Sequence, residues 1–241
     1  MNWTNLFKIA LKAISNNKFR TFLTMLGIII GVGSVITMLA IGQGSKQSIQ
    51  AQISKMGSNM IMIMPGAERR GGVRMGMSDM QTLKISDFNS LKEECTYLSA
   101  ISPSVSSSGQ LIFGGNNYSS SISGVSQDYL KIRQLEVEDG EMFDDLDIAQ
   151  SAKVCVIGKT IADNLFTGGE NPVGQIIRFK NMPFTVIGVL KSKGYNTMGQ
   201  DQDDVVLAPY TTVMKRIQSV NYLQMIYASA LTEGQTQEAI N

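Results

Sequence analysis

The chain contains no histidine. It therefore lacks both the commonest general base and the commonest metal ligand, and neither a Ser-His-Asp nor a Cys-His catalytic arrangement can be assembled from it. Cysteine is almost absent as well. Cys95 and Cys155 are the only two, too few for a disulfide framework or a zinc pattern. In an oxidising compartment they could pair; two buried apolar thiols is the plainer reading. Charge is missing in particular places. No acidic residue precedes Glu68, and no charge of either sign occurs from Thr21 to Ser45. The net charge over 241 residues is only +1, which excludes the strong basic field of a nucleic-acid binder.

The uncharged stretch is where the chain is most informative. Residues 22–41 (FLTMLGIIIGVGSVITMLAI) form an apolar run of 20 residues. As a helix this run is about 30 Å long, the thickness of a bilayer core. A secretory signal has a shorter apolar region, about 7–15 residues, with a small-residue cleavage site. Ala40-Ile41-Gly42 is a poor site of that kind, so an uncleaved transmembrane helix over residues 21–45 is expected. Lys8, Lys12, Lys18 and Arg20 precede it, and only Lys46 and Lys55 follow closely. This asymmetry places the N-terminus in the cytoplasm and the bulk of the chain outside. Without the four leading cations, 17 basic residues face 20 acidic ones, a balance of −3, ordinary for a soluble domain.

Residues 1–20 predict an amphipathic interfacial helix. Trp3, Leu6, Phe7, Ala10, Leu11 and Ile14 share one helical face, and Lys8 and Lys12 fall elsewhere. Trp3, Phe7, Lys8, Lys12, Lys18 and Arg20 are the expected membrane-interface residues, Trp3 at headgroup level. The plain reading is an elbow lying on lipid; the sharper one adds contact with a cytoplasmic partner. Within the span, Gly27 and Gly31 form a G-x-x-x-G pair with Gly33 and Ser34 close by. Small residues so spaced let another helix approach closely.

Past the span, Ile49, Ile53 and Met56 continue the helical spacing to about Gly57. Residues 59–64 read as a strand ended by Pro65-Gly66, and the Gly- and Arg-rich residues 66–78 as a mobile loop. Helices are expected at 86–95, 128–132, 159–166, 211–217 and 236–240. Strands are expected at 98–105, 110–113, 119–123, 153–157, 175–179, 184–190, 205–207 and 224–230. Gly114 to Asn117 and Asn181-Met182-Pro183 supply hairpin turns. Short strands mixed with short helices predict an α+β class. The last helix stops without anything to pack against, so a longer chain is expected.

No motif supplies a catalytic site. Residues 42–48 (GQGSKQS) miss the phosphate-loop spacing and follow an apolar helix instead of a strand. Met60, Met62 and Met64 alternate along one strand face, with Met75, Met77 and Met80 beyond. Thioethers can bind Cu(I), but adaptable packing explains them as well. The acidic run 136–147 (EVEDGEMFDDLD) lacks EF-hand spacing and reads as a solvated loop, as do Asp201, Asp203 and Asp204. Neither metal nor cofactor is expected.

Several segments, taken in order, carry a resemblance. These are residues 19–44 (FRTFLTMLGIIIGVGSVITMLAIGQG), Met56-Gly57-Ser58-Asn59, residues 171–178 (NPVGQIIR), 183–190 (PFTVIGVL) and 203–212 (DDVVLAPYTT). Together they resemble the permease subunits of MacB-type ABC transporters, relatives of the lipoprotein-releasing and FtsX-like permeases. The resemblance implies one N-terminal transmembrane helix followed by a periplasmic mixed α/β domain over 46–241, truncated at its end. A first subdomain would comprise 55–105 and 220–241, with a strand-rich inserted subdomain at 106–215. It implies an inner-membrane homodimer working with a separate cytoplasmic ATPase subunit, so that the chain itself is not an enzyme. Such permeases act by mechanotransmission on a periplasmic adaptor and an outer-membrane channel. Lipoprotein release is the alternative within the superfamily, and a single-pass sensor module the alternative outside it.

Overall fold

The computed structural model describes residues 3–55, 59–66, 82–196 and 199–240. Residues up to Ala51 form one unit and Gln52–Asn241 a second.

In the first unit, α1 (Trp3–Asn16) and α2 (Lys18–Lys55) are separated by Asn17 alone. α2 runs 38 residues without a break, about 57 Å at the usual rise per residue. Neither end of the apolar run stops it, because Ser45–Lys55 contains no proline and only helix-tolerant residues. Its glycines sit where no Cβ would meet another atom. Residues 42–48 lie in mid-helix, which removes any loop that could cradle a phosphate.

The second unit contains β1 (Met60–Ile63), α3 (Ile85–Glu94), β2 (Leu98–Phe113), β3 (Asn116–Val125) and α4 (Tyr129–Arg133). Next come β4 (Val137–Gly140), α5 (Asp145–Gln150), β5 (Val154–Ile157), α6 (Lys159–Leu165), β6 (Ile176–Phe179) and β7 (Met182–Leu190). β8 (Val206–Pro209), α7 (Tyr210–Thr212) with a π-helical turn Val213–Gln218, β9 (Met225–Ala230) and α8 (Thr236–Ile240) complete it. The class is α+β, as the mixture of short elements predicts.

Pairing is organised around β2. Its first half runs antiparallel to β9 (Ile101 opposite Ala228), and β9 runs antiparallel to β1 (Met62 opposite Tyr227). Its second half pairs with β3 on one side and β6 on the other. β3 continues to β8, β8 to β5, β5 to β7, and β7 back to β6. The ladder β2-β3-β8-β5-β7-β6 therefore closes on itself, and closure removes the free edges that an open sheet exposes. β4 adds to the outside of β7.

Alternation along the strands fills two cores. On one face Leu111, Ile122, Cys155, Ile177, Phe179, Phe184 and Val186 are buried together, with Phe88 of α3 and Ile226 of β9 in the same cluster. On the opposite face Val156, Leu207 and Leu190 pack with Tyr129, Phe143 and Ile148. A single residue step thus decides which core a side chain joins.

Several expectations are corrected. The strands expected at 98–105 and 110–113 are one 16-residue strand. Ser106 to Gly109 read as a break because they lack β-formers, but pairing with β3 holds them extended. The Gln224 side chain accepts from the backbone N–H and hydroxyl of Ser106, each at 2.9 Å. The hairpin between β6 and β7 turns at Lys180 and Asn181, with φ of 46° and 68°, and Met182-Pro183 belong to β7. Two left-handed residues match the strand twist in a two-residue turn. Residues 213–218 are π-helical instead of α-helical. Residues 67–81, including the loop expected there and Met75, Met77 and Met80, lie outside the described residues.

Candidate functional site

α2 combines length, apolarity and exposure. Residues 18–49 have a mean hydropathy of 2.3 in their most apolar window, none of it buried within the chain. Ile28, Ile29, Ile30 and Ile36 are each about 60% exposed. In water such a surface would be unfavourable; it matches an acyl environment. The polar side chains of the run are satisfied internally. Ser34 Oγ donates to the Ile30 carbonyl at 2.6 Å, Thr37 Oγ1 to Gly33 at 2.8 Å, and Thr24 Oγ1 to Thr21 at 2.9 Å. A helix in lipid requires this internal satisfaction. α2 is thus long and apolar enough to cross a bilayer.

At 100° per residue, Gly27, Gly31 and Ser34 share one face of α2. Gly33 is turned away from that stripe by roughly 130°. A Cβ built at any of the three glycines meets nothing within 4 Å. The stripe is therefore open to an incoming helix, and no contact among the described residues accounts for it. The sequence-predicted interface residues Trp3, Phe7, Lys8, Lys12, Lys18 and Arg20 are all exposed.

The other motifs resolve into packing. Ile61 and Ile63 face the core of the second unit, while Met62 and Met64 are about half exposed on the other face of the strand. Met60 Sδ receives a weak contact from Arg133 Nη1 at 3.9 Å. Among the described residues, no three His, Cys, Asp or Glu side chains gather to hold a metal ion. Cys95 and Cys155 are both free thiols, unpaired with each other; burial raises the Cys155 thiol well above its ordinary value.

The acidic residues are corrected from solvated loop to structural elements. Residues 136–147 include β4 and the start of α5. Asp144 caps α5, accepting from the Asp147 N–H at 2.9 Å, and its own N–H donates to the Asp147 carboxylate at 3.2 Å. This reciprocal box satisfies two N–H groups at the helix start. Asp139 accepts from the Asn171 amide at 3.1 Å. Glu136 pairs with Lys191 at 2.8 Å, and that hydrogen bond lowers the carboxyl and raises the ammonium.

Asp203 is the residue that sequence reasoning missed most clearly. It is buried and accepts from Ser192 Oγ at 2.5 Å, the Lys193 N–H at 2.7 Å and the Gly194 N–H at 2.9 Å. Burial alone would raise its carboxyl, but these donors and the nearby Lys193 charge outweigh burial and hold it below the usual range. Asp201 accepts from Thr160 Oγ1 at 2.7 Å, and Asp204 from Ser120 Oγ at 2.6 Å. The three carboxylates tie the segment before β8 to β3, α6 and the segment after β7. Gly158 makes this possible: a Cβ there would lie 2.0 Å from the Asp203 carbonyl oxygen. Beside this knot is a polar cleft of about 430 Å³ lined by Gln134, Glu136, Lys191, Ser192, Lys193 and Gln202. The hydroxyl of Ser192, which lines it, is engaged by the Asp203 carboxylate.

Residues 21–241 match the family model for the MacB-like periplasmic core domain. A macrolide export ATP-binding/permease protein MacB from Syntrophobacter fumaroxidans is 39% identical over 226 residues, covering 93% of this chain and 32% of that protein. A protein of the same name from Rhodospirillum rubrum is 39% identical over 237 residues, covering 97% and 36%. The chain thus spans about a third of the length of these curated relatives. Among solved structures, the periplasmic region of MacB from Actinobacillus actinomycetemcomitans superposes with a TM-score of 0.63 at 27% identity, covering 78% of this chain and 83% of that one. The chain belongs to the MacB-like periplasmic core domain family.

Proposed function

We propose that the chain serves a MacB-like ABC export permease as its first membrane helix and periplasmic domain, and that it carries motion rather than performing chemistry. The observation that carries this reading is α2. One unbroken helix of 38 residues contains the whole apolar run and continues beyond it to Lys55. A continuous helix transmits displacement along its axis, whereas a flexible tether would absorb it. The open Gly27/Gly31 stripe supports packing against another membrane helix, within a permease or across a homodimer.

In this reading the N-terminus and α1 lie on the cytoplasmic side, and ATP is hydrolysed by a separate nucleotide-binding part. The periplasmic domain engages an adaptor protein and, through it, an outer-membrane channel. Residues 55–105 with 220–241 and residues 106–215 act as two subdomains joined through β2. The pairing of β2's halves with different strands supports this division.

The test breaks the helix without touching either end. Gln43→Pro removes an intrahelical hydrogen bond and kinks α2 just past the apolar run. In the assembled transporter, ATP hydrolysis is expected to persist while export falls at least tenfold. Undiminished export would contradict transmission through α2.

A further inference from the structure

α1 divides cleanly into two sides. At 100° per residue, Leu6, Phe7, Ile9, Ala10 and Trp3 fall within one continuous arc of roughly 160°. Thr4, Asn5, Lys8 and Lys12 occupy the opposite arc, with the two lysines one turn apart. Trp3, Phe7 and Ile9 are the most exposed of the apolar group, at 87%, 71% and 67%. Within the first unit, no described residue covers this face. Nor does any ion pair among the described residues neutralise the charge. No acidic residue precedes Glu68, and the two ion pairs among the described residues, Lys159–Asp163 and Lys191–Glu136, involve none of the four leading cations. α1 ends one residue before α2 begins, and Lys18 and Arg20 stand in the first turn of α2. The exposed apolar arc and the uncompensated cations are therefore held where the membrane span starts.

We propose that α1 is a headgroup-selective foot: its apolar arc enters the leaflet, and Lys8 and Lys12, with Lys18 and Arg20, gather anionic phospholipid around it. The apolar arc needs hydrocarbon, and the cations need anions that the chain does not supply within its first 67 residues. A leaflet carrying phosphate-bearing anionic headgroups provides both together. This rests on the reading that α2 spans the membrane with α1 at its cytoplasmic surface. It goes beyond that reading in assigning a lipid class.

The chain's single tryptophan is Trp3, which gives a site-specific optical probe without labelling. The full chain is placed in nanodiscs of equal phosphatidylglycerol and phosphatidylcholine content, with bromine on the acyl chains of one lipid or the other. Brominated phosphatidylglycerol is expected to quench Trp3 several-fold more than brominated phosphatidylcholine at low salt. The preference should fall toward unity in 1 M salt, where the screening length is about 3 Å, and in the exposed-site double variant K8Q/K12Q. The salt series on the unaltered chain keeps the test valid should the variant misbehave. Equal quenching by both lipids would overturn headgroup selectivity while leaving α1 on the membrane. No quenching by either, with water-like Trp3 emission, would overturn the interfacial placement itself. A preference that salt and K8Q/K12Q leave unchanged would also contradict the proposal, because it would not arise from these charges.

Discussion

Apolar side chains stabilise the two halves of this protein by opposite means. In α2, Ile28, Ile29, Ile30 and Ile36 are about 60% exposed. In the periplasmic domain, Leu111, Ile122, Phe179 and Phe184 are almost completely excluded from solvent. Glycine shows the same contrast. Gly31 has open space where its Cβ would be, whereas Gly124 would place a Cβ 2.7 Å from the Val213 Cβ. The difference teaches that composition alone does not assign a residue's role. The domain uses burial to fix its own shape; among the described residues the helix leaves its apolar surface uncovered.

The sharpest way to break this contrast is to cut matched holes. Phe184→Ala empties a fully buried site in the closed ladder and should cost about 3–5 kcal/mol, read by denaturant unfolding of the domain. Ile28→Ala removes a similar apolar group from α2 and should leave that midpoint unchanged. Next in size are the glycines. Gly158→Ala forces a Cβ against the Asp203 backbone and should destabilise by about 1–3 kcal/mol. Gly31→Ile should leave domain unfolding unaffected and weaken helix association in membranes, read by dimer population.

Asp203 sharpens the comparison electrostatically. Its carboxyl is depressed in the folded state, so its contribution is present above the ordinary carboxylate range and is lost as pH falls through the depressed folded value. Asp203→Asn should therefore lower stability at neutral pH by about 1–2 kcal/mol and flatten its acid dependence, as seen in unfolding midpoints between neutral and acid pH. The smallest effect belongs to the exposed Lys191–Glu136 pair. Lys191→Ala should produce no measurable shift in the midpoint, because exposed pairs are screened.

Legibility in the sequence followed how local the determining physics was. The apolar helix was fully legible because twenty uncharged residues need no partner to declare themselves. So, to within one or two residues, were β5 and β7, expected at 153–157 and 184–190, and α3 and α6, expected at 86–95 and 159–166, whose periodicity is set by immediate neighbours. β4 and α5 were hidden beneath an acidic run. Asp144 and Asp147 read as solvated charge until their reciprocal cap was seen, and β4 exists only because β7 lies beside it. Continuity of β2 through Ser106–Gly109 likewise depends on pairing with β3 and on Gln224, 118 residues from Ser106. At the site, the placement of Gly27 and Gly31 on one face of α2 and of four cations ahead of the apolar run was legible as spacing. Gly33 separated from that stripe only once the helix was continuous, and Asp203 was invisible because its donors lie about ten residues away in a different segment.

The reading most exposed to test is that α2 packs against α2 of a second copy along the Gly27/Gly31 stripe. The direct measurement is oxidative cross-linking in native membranes of single cysteines along α2 in a Cys95→Ser background, which leaves only the inaccessible Cys155. Gly27→Cys and Gly31→Cys should form disulfide-linked dimers, while Ile29→Cys and Ile36→Cys, on the opposite face, should remain monomeric. Equal cross-linking around the whole helix, or none at the stripe, would contradict it.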